Sequence, residues 1–252
     1  QLWLNNQLSY NHEFKPSEEL LSFLKEEIKK SKYPVRSGNH IEDRGSMLNF
    51  SIVRKVLASI AEASGEDVDK AVSAARKAFE EGPWSKMAPA ERKKVLLRFA
   101  TVIEAHSEEL AMMEAMEAGK PITDCLEIDM PETVNTIRWH AEAIDKLYDQ
   151  ISPSDPSILS MIVREPMGVV AAILPWNFPA MMAAWKLGPI LATGNTVVLK
   201  PAEQTSLSTI RIGELAAEAG IPDGVINVVC GFGETVGKAL GEHPDVDCVA
   251  FT

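Results

Sequence analysis

Asn177 and Lys200 are the two residues whose types and placement most suggest chemistry. Asn177 lies in the turn Trp176-Asn177-Phe178-Pro179, after an apolar run over residues 168–174 that stops at Pro175. Lys200 follows a second apolar run, over residues 196–199. Between them an apolar segment, residues 180–191, reads as a buried helix ending near Gly194. The unit is strand–turn–helix–strand, the crossover that builds parallel sheets. Ligands in such sheets sit beyond the carboxyl ends of the strands, so an amide and an ammonium placed there can converge on one ligand. The amide N–H of Asn177 can donate to a developing oxyanion, or it can hold its own turn, as Asn often does.

Other residues offer less. Gly231-Phe232-Gly233 follows a third apolar run and opens a helix at Glu234, where glycines let the backbone approach a ligand. The spacing to Gly237 is not G-x-G-x-x-G, so alone it reads as a tight strand-to-helix turn. Cys125, Cys230 and Cys248 are far apart and odd in number, which points to free thiols and a reducing, cytoplasmic compartment. The five histidines show no metal-ligand spacing, so no metal site is expected. The 25 basic and 36 acidic side chains leave a net charge of −11, a poor match for nucleic acid or anionic lipid. No long uninterrupted apolar span predicts a membrane helix, and the first ten residues do not read as a signal peptide.

The elements around these residues follow from periodicity. Ser64 and Asp67 form an S-x-x-D capping box, and Val68, Ala71, Val72, Ala75 and Phe79 mark the buried face of the helix it opens. A second helix spans about 89–106. A third starts at Ser107 and stops at Gly119-Lys120-Pro121. A fourth runs to about Tyr148, with Pro131 as a start or kink and Asp129-Met130-Pro131-Glu132 as a D-x-x-E capping arrangement. Residues 151–160 read as a Ser/Pro-rich connection. After Met161, strand-like runs at 169–174, 196–199, 225–229 and 247–251 alternate with helices at 180–191, 206–219 and 235–240. That alternation predicts a parallel sheet covered on both faces. Residues 1–50 stand apart, with acids and bases in balance and one amphipathic helix that Ser17 caps. They read as a divergent or foreign leader, with Arg44-Gly45-Ser46-Met47 as a junction. Residues 51–252 then form a partial cofactor domain, with helices over 64–148 and the sheet over 161–252.

Four ordered blocks, PWNFP, WKLGP, ATGN and VLKPAEQT, resemble the NAD(P)-dependent aldehyde dehydrogenase superfamily from about Val56 to Thr252. The segments IRWHAEAIDKLYD and IVREPMGVVAAILPWNFP are most similar to the branch that oxidises amino- and γ-glutamylamino-butyraldehydes. The resemblance implies an α/β fold: a helical amino-terminal region, then an incomplete parallel, Rossmann-like cofactor sheet. It implies Asn177 as oxyanion donor. It implies a cofactor site of Ile173, Leu174, Pro175, Trp176, Lys200, Ala202, Glu203, Gly233 and Glu234. Lys200 and Glu203 would hold the adenosine ribose. A carboxylate at 203 accepts ribose hydroxyls and repels a 2′-phosphate, favouring NAD over NADP. Phe178, Trp185 and Asp129 would line the substrate tunnel, although on their own the two aromatics read as core. For Asp129 the capping role competes with recognition of an ammonium group.

In such enzymes a cysteine thiolate attacks the aldehyde, hydride leaves to nicotinamide, and a glutamate activates water to release the acid. The Gly-Gln-x-Cys-like and Glu-Leu-Gly-Gly-like motifs that supply those two groups do not occur in these 252 residues. The expectation is a cofactor-binding half without the catalytic domain, inactive alone and belonging to an aldehyde-oxidising homo-oligomer. The alternative is a non-catalytic nucleotide-binding or interaction protein built on that fold.

Overall fold

Ser64 opens a helix as its spacing to Asp67 predicts: the Ser64 N–H donates to Asp67 Oδ2 at 2.9 Å, and the Asp67 N–H donates back to Ser64 Oγ at 3.4 Å. These bonds hold the Asp67 carboxyl below its usual range. The computed structural model describes residues 60–252. The leader with its Ser17-capped helix and the 44–47 junction lie outside the described residues. Helix α1 spans Gly65–Glu80 and buries Val68, Ala71, Val72, Ala75 and Ala78. Ala78 takes the inward place expected of Phe79, whose ring is half-buried beneath the Arg76 guanidinium.

Helix α2 spans Pro89–Ala105 and α3 spans Ser107–Ala118, closed by Gly119 in the left-handed conformation at φ 72°. From residue 122 the chain stays helical through a π-type turn, Cys125–Asp129, into α4, Met130–Ala143. This overturns the capping role expected of Asp129. Its own backbone is helical, at φ −68° and ψ −45°, and its side chain makes no cap hydrogen bond. The wide turn, with the Met130 N–H donating to Cys125 O, carries the helix past Pro131, so no new helix starts there.

Residues 151–160, a Ser/Pro-rich connection by composition, have strands at both ends, as the family resemblance implies for this part of the chain. Strand β1, Gln150–Ser152, pairs antiparallel with β2, Ser160–Ile162. The pair stands away from the core, with Ile151, Leu159 and Met161 exposed.

The main sheet is parallel and four-stranded. In chain order its strands are β3, Val169–Ile173; β4, Thr196–Lys200; β5, Ile226–Val228; and β6, Cys248–Phe251. Across the sheet the order is β5-β4-β3-β6. Between them run α5, Pro179–Ala192, α6, Leu207–Glu218, and a π-type turn, Gly233–Gly237, that leads into α7, Lys238–Gly241. Alternation along β3 sends Val169 and Ala171 to one face and Val170 and Ala172 to the other. The first face packs on α1 and α7 through Val68, Val72 and Leu240; the second packs on the larger helical layer through Phe99, Ile137 and Leu187. With both faces covered, the central strands read as continuous apolar runs. The outer strand β6 is only partly covered, with Phe251 73% exposed.

Candidate functional site

Parallel register brings the predicted residues together. Ile173 lies opposite Lys200 where β3 and β4 end side by side. The Leu174 N–H donates to Lys200 O at 2.9 Å, carrying the pairing one residue beyond the strand. The segment from Pro175 to Phe178 and the segment from Pro201 to Ser206 therefore leave the sheet from neighbouring points on its carboxyl edge.

Lys200 is the last residue of β4 and is buried, at 2% exposure. Its Nζ donates to Pro201 O at 3.0 Å and lies 3.5 Å from Glu203 Oε2. Ala202 is buried beneath that loop, while the Glu203 side chain faces solvent. A Cβ on Gly237 would lie 3.7 Å from Lys200 Cδ, so the turn after β5 packs on the lysine stem. Gly233 and Glu234 are exposed, and a Cβ on Gly233 would meet nothing within 4 Å. The glycine required sterically is Gly231, where the Val236 side chain occupies the space of a Cβ. The backbone at Gly233 is accordingly open to an incoming group.

On the other side, Asn177 is exposed in the turn that precedes α5. Trp176 and Trp185 are 58% and 50% exposed, so neither is a core aromatic. Phe178 is half-buried with its ring 4.0 Å from Lys120 Nζ. Asp129 is buried in the interior, where its carboxyl accepts from the same Lys120. Phe178 and Asp129 thus meet through Lys120.

Sequence reasoning missed three residues here. Glu114, Glu117 and Lys120 belong to α3 and the loop after it, and both glutamates are buried. Glu114 accepts from Lys120 Nζ at 3.1 Å and from the Ala180 N–H at 3.2 Å, at the start of α5. Glu117 accepts from the Leu207 and Ser208 N–H groups, at 2.7 and 3.1 Å, and from Ser208 Oγ, at the start of α6. Burial, reinforced for Glu114 by neighbouring Asp129, pushes both carboxyls up to about 7. Burial alone would depress Lys120, but its two carboxylates outweigh it and the ammonium is held above its ordinary range. The visible signal was two acids three apart in AMMEAMEA, an otherwise apolar helical stretch.

Glu114, Cys125 and Asp129 place donor atoms within 4.8 Å of one another, a spacing that could hold a metal ion. The Lys120 ammonium bonds both carboxylates and supplies the positive charge there. Burial pushes the Cys125 thiol far up and the Cys230 thiol up to about 11. Cys248 is half-buried on β6. None of the three has the exposed, electropositive setting of a reactive thiolate. Among the described residues no helix is long and apolar enough to cross a membrane.

A sequence profile described as the aldehyde dehydrogenase family matches residues 45–252, so the likeness begins ahead of Val56. Aminoacetaldehyde dehydrogenase of Pseudomonas aeruginosa is 56% identical over 198 residues, 79% of this chain and 40% of its own length. The NADP/NAD-dependent aldehyde dehydrogenase PuuC of Escherichia coli is 53% identical over 201 residues, 80% of this chain and 41% of its own length. Among solved structures, a γ-glutamyl-γ-aminobutyraldehyde dehydrogenase from Burkholderia cenocepacia superposes with a TM-score of 0.78 at 51% identity, over 79% of this chain and 40% of its own. An indole-3-acetaldehyde dehydrogenase complexed with NAD+ gives 0.78 at 53% identity, over the same shares. The chain spans about two fifths of the length of the curated relatives it matches.

Proposed function

The chain belongs to the aldehyde dehydrogenase family, and from that premise we propose that it forms the cofactor-binding part of an enzyme oxidising aminoaldehydes to carboxylic acids with NAD. One observation carries the reading. Register pairing sets the Asn177 turn and the Lys200–Glu203 loop side by side at the carboxyl edge of the sheet, where α/β folds bind nucleotides.

The residues present fit NAD. Lys200 and Glu203 offer a donor and a carboxylate 3.5 Å apart, suited to the two hydroxyls of a ribose. Gly233 leaves open backbone, and exposed Glu234 borders it. Ile173, Leu174, Pro175 and Trp176 line the strand end facing this loop, with Ala202 beneath it. Glu203 disfavours a 2′-phosphate, so NAD is preferred over NADP. When bound, the nicotinamide would accept the hydride. Asn177 would donate its amide N–H to the oxygen of the aldehyde as charge develops there. Phe178 and Trp185 would wall the approach and exclude water. Asp129, held on Lys120, supports that wall from behind; exposed Glu127, two residues earlier, is the acid that would attract an ammonium group from solvent.

The thiolate and the water-activating base would come from outside these 252 residues: neither family motif occurs here, burial pushes the Cys125 and Cys230 thiols up, and Cys248 lies half-buried within β6. The chain alone is therefore inactive. The exposed apolar β1–β2 pair supports assembly into a homo-oligomer, and the three free thiols support a cytoplasmic setting. The test is NADH formation from NAD and an aminoaldehyde. The complete enzyme carrying this segment should turn over, and the 252-residue chain should not. Activity in the chain alone that disappears in Cys230→Ser would overturn the assignment of the nucleophile.

A further inference from the structure

We propose that Lys120 and Glu114 are positioning residues that set the orientation of the Asn177 turn. The proposal rests on the reading of Asn177 as an oxyanion donor. Asn177 is exposed, and among the described residues its side chain makes no hydrogen bond. Its anchoring point is therefore set by the backbone on either side of it. On the far side, Pro179 occupies the first helical position of α5 and has no N–H, so Ala180 presents the first free donor of that helix. Glu114 takes that donor at 3.2 Å. A carboxylate there also complements the positive end of the helix. One residue after Asn177, the Phe178 ring lies 4.0 Å from Lys120 Nζ, a cation–π contact in a mostly desolvated setting.

These two grips are one object. Lys120 Nζ bonds Glu114 at 3.1 Å and also Asp129, so the cation on the ring and the carboxylate on the helix hold each other. Glu114 is fully buried, Asp129 nearly so, and the Lys120 side chain is 18% exposed. A satisfied charge network in a low-dielectric interior is stiff, because moving any member strands another. Helix α3 and its Gly119-Lys120 exit thus clamp a turn about sixty residues downstream at Phe178 and Ala180. Geometry held to a fraction of an ångström is what an oxyanion donor needs.

The test uses the complete enzyme carrying this segment, labelled with 5-fluorotryptophan. Trp176, beside Asn177, is assigned by Trp176→Phe, and buried Trp84 serves as the internal reference. Lys120→Met should move the Trp176 fluorine resonance and leave that of Trp84 in place. Lys120→Arg, which keeps a cation over the ring, should restore it. In parallel, kcat for aldehyde oxidation should fall about 10-fold in Lys120→Met, with the KM for NAD unchanged. Should Lys120→Met not fold, the double variant Lys120→Met with Asp129→Asn removes the cation and one carboxylate together and is read in the same way. A Trp176 resonance identical to the parent overturns the positioning role. A resonance change shared by Trp84 and not restored by Lys120→Arg overturns it too, leaving only a general structural role. A Trp176 shift restored by Lys120→Arg, in an enzyme that oxidises no aldehyde, upholds the positioning and refutes the function assigned to Asn177.

Discussion

Glu117 Oε2 accepts the backbone N–H of Leu207 at 2.7 Å, so a side chain of α3 closes the amino end of a helix ninety residues away. Three positions earlier on the same helix, Glu114 does the same for α5. One turn of α3 therefore fixes the starts of both helices that follow the candidate site loops.

Burial of Glu117 gives one contribution to stability that falls as pH rises. Burial raises the Glu117 carboxyl from an ordinary 4.5 to about 7 in the fold. The folded state therefore holds a proton that the unfolded chain releases between those values. The contribution is fully present below about pH 4.5 and is lost as pH rises through 7. Thermal melts from pH 5 to 8 should show a declining melting temperature, and Glu117→Gln should flatten part of that decline. Glu117→Ala leaves the Leu207 and Ser208 N–H groups without their acceptor and should cost about 2–3 kcal/mol at pH 6. A melting temperature in Glu117→Gln that tracks the parent at every pH would remove this group from the balance.

Asn177→Ala separates chemistry from folding. Losing one oxyanion donor should lower kcat in the complete enzyme about 100- to 1000-fold. The residue is exposed, so stability should stay within about 0.5 kcal/mol of the parent. Full turnover in the variant would leave Asn177 as a turn residue.

Glu203→Gln addresses cofactor choice. The exposed carboxylate beside Lys200 should repel a 2′-phosphate, so the amide variant should narrow the NAD-over-NADP ratio of kcat/KM. An unchanged ratio would take Glu203 out of the ribose site.

Asp129→Asn tests the pairing with Lys120. Its carboxyl is buried on Lys120, so removing the charge should cost about 2 kcal/mol of stability. KM should change alike for an aminoaldehyde and an uncharged aldehyde. Glu127→Gln should raise KM for the aminoaldehyde alone, with the effect shrinking at high salt. An unchanged melting temperature in Asp129→Asn would show that the Lys120 pairing contributes nothing to the fold.

Thiol reactivity checks the cysteines. With Cys125 and Cys230 held protonated by burial, a disulfide reagent at pH 8 should label Cys248 first and the other two slowly. Rapid labelling of Cys230 would reopen it as a nucleophile.

Much of the fold could be read from local pattern. The capping box at Ser64 and Asp67, the apolar runs over residues 169–174 and 196–199, and the buried segment of α5 are governed by near neighbours and by period. The PWNFP and VLKPAEQT blocks singled out the two loops that register later set side by side.

What the sequence determined by itself was therefore the order of the main-sheet strands and their intervening helices and the loops that bear Asn177, Lys200 and Glu203. Only the tertiary structure decided what the charged residues between them do. Asp129 has the spacing of a helix cap, yet a π-type turn carries the helix through it and Lys120 claims its carboxyl. Glu114 and Glu117 look like two acids on an amphipathic helix, and become buried acceptors for distant backbone donors. Local pattern is blind to such roles because the free energy of a charge depends on what surrounds it in space. For Glu114 and Glu117 the partners open helices some sixty to ninety residues further along the chain.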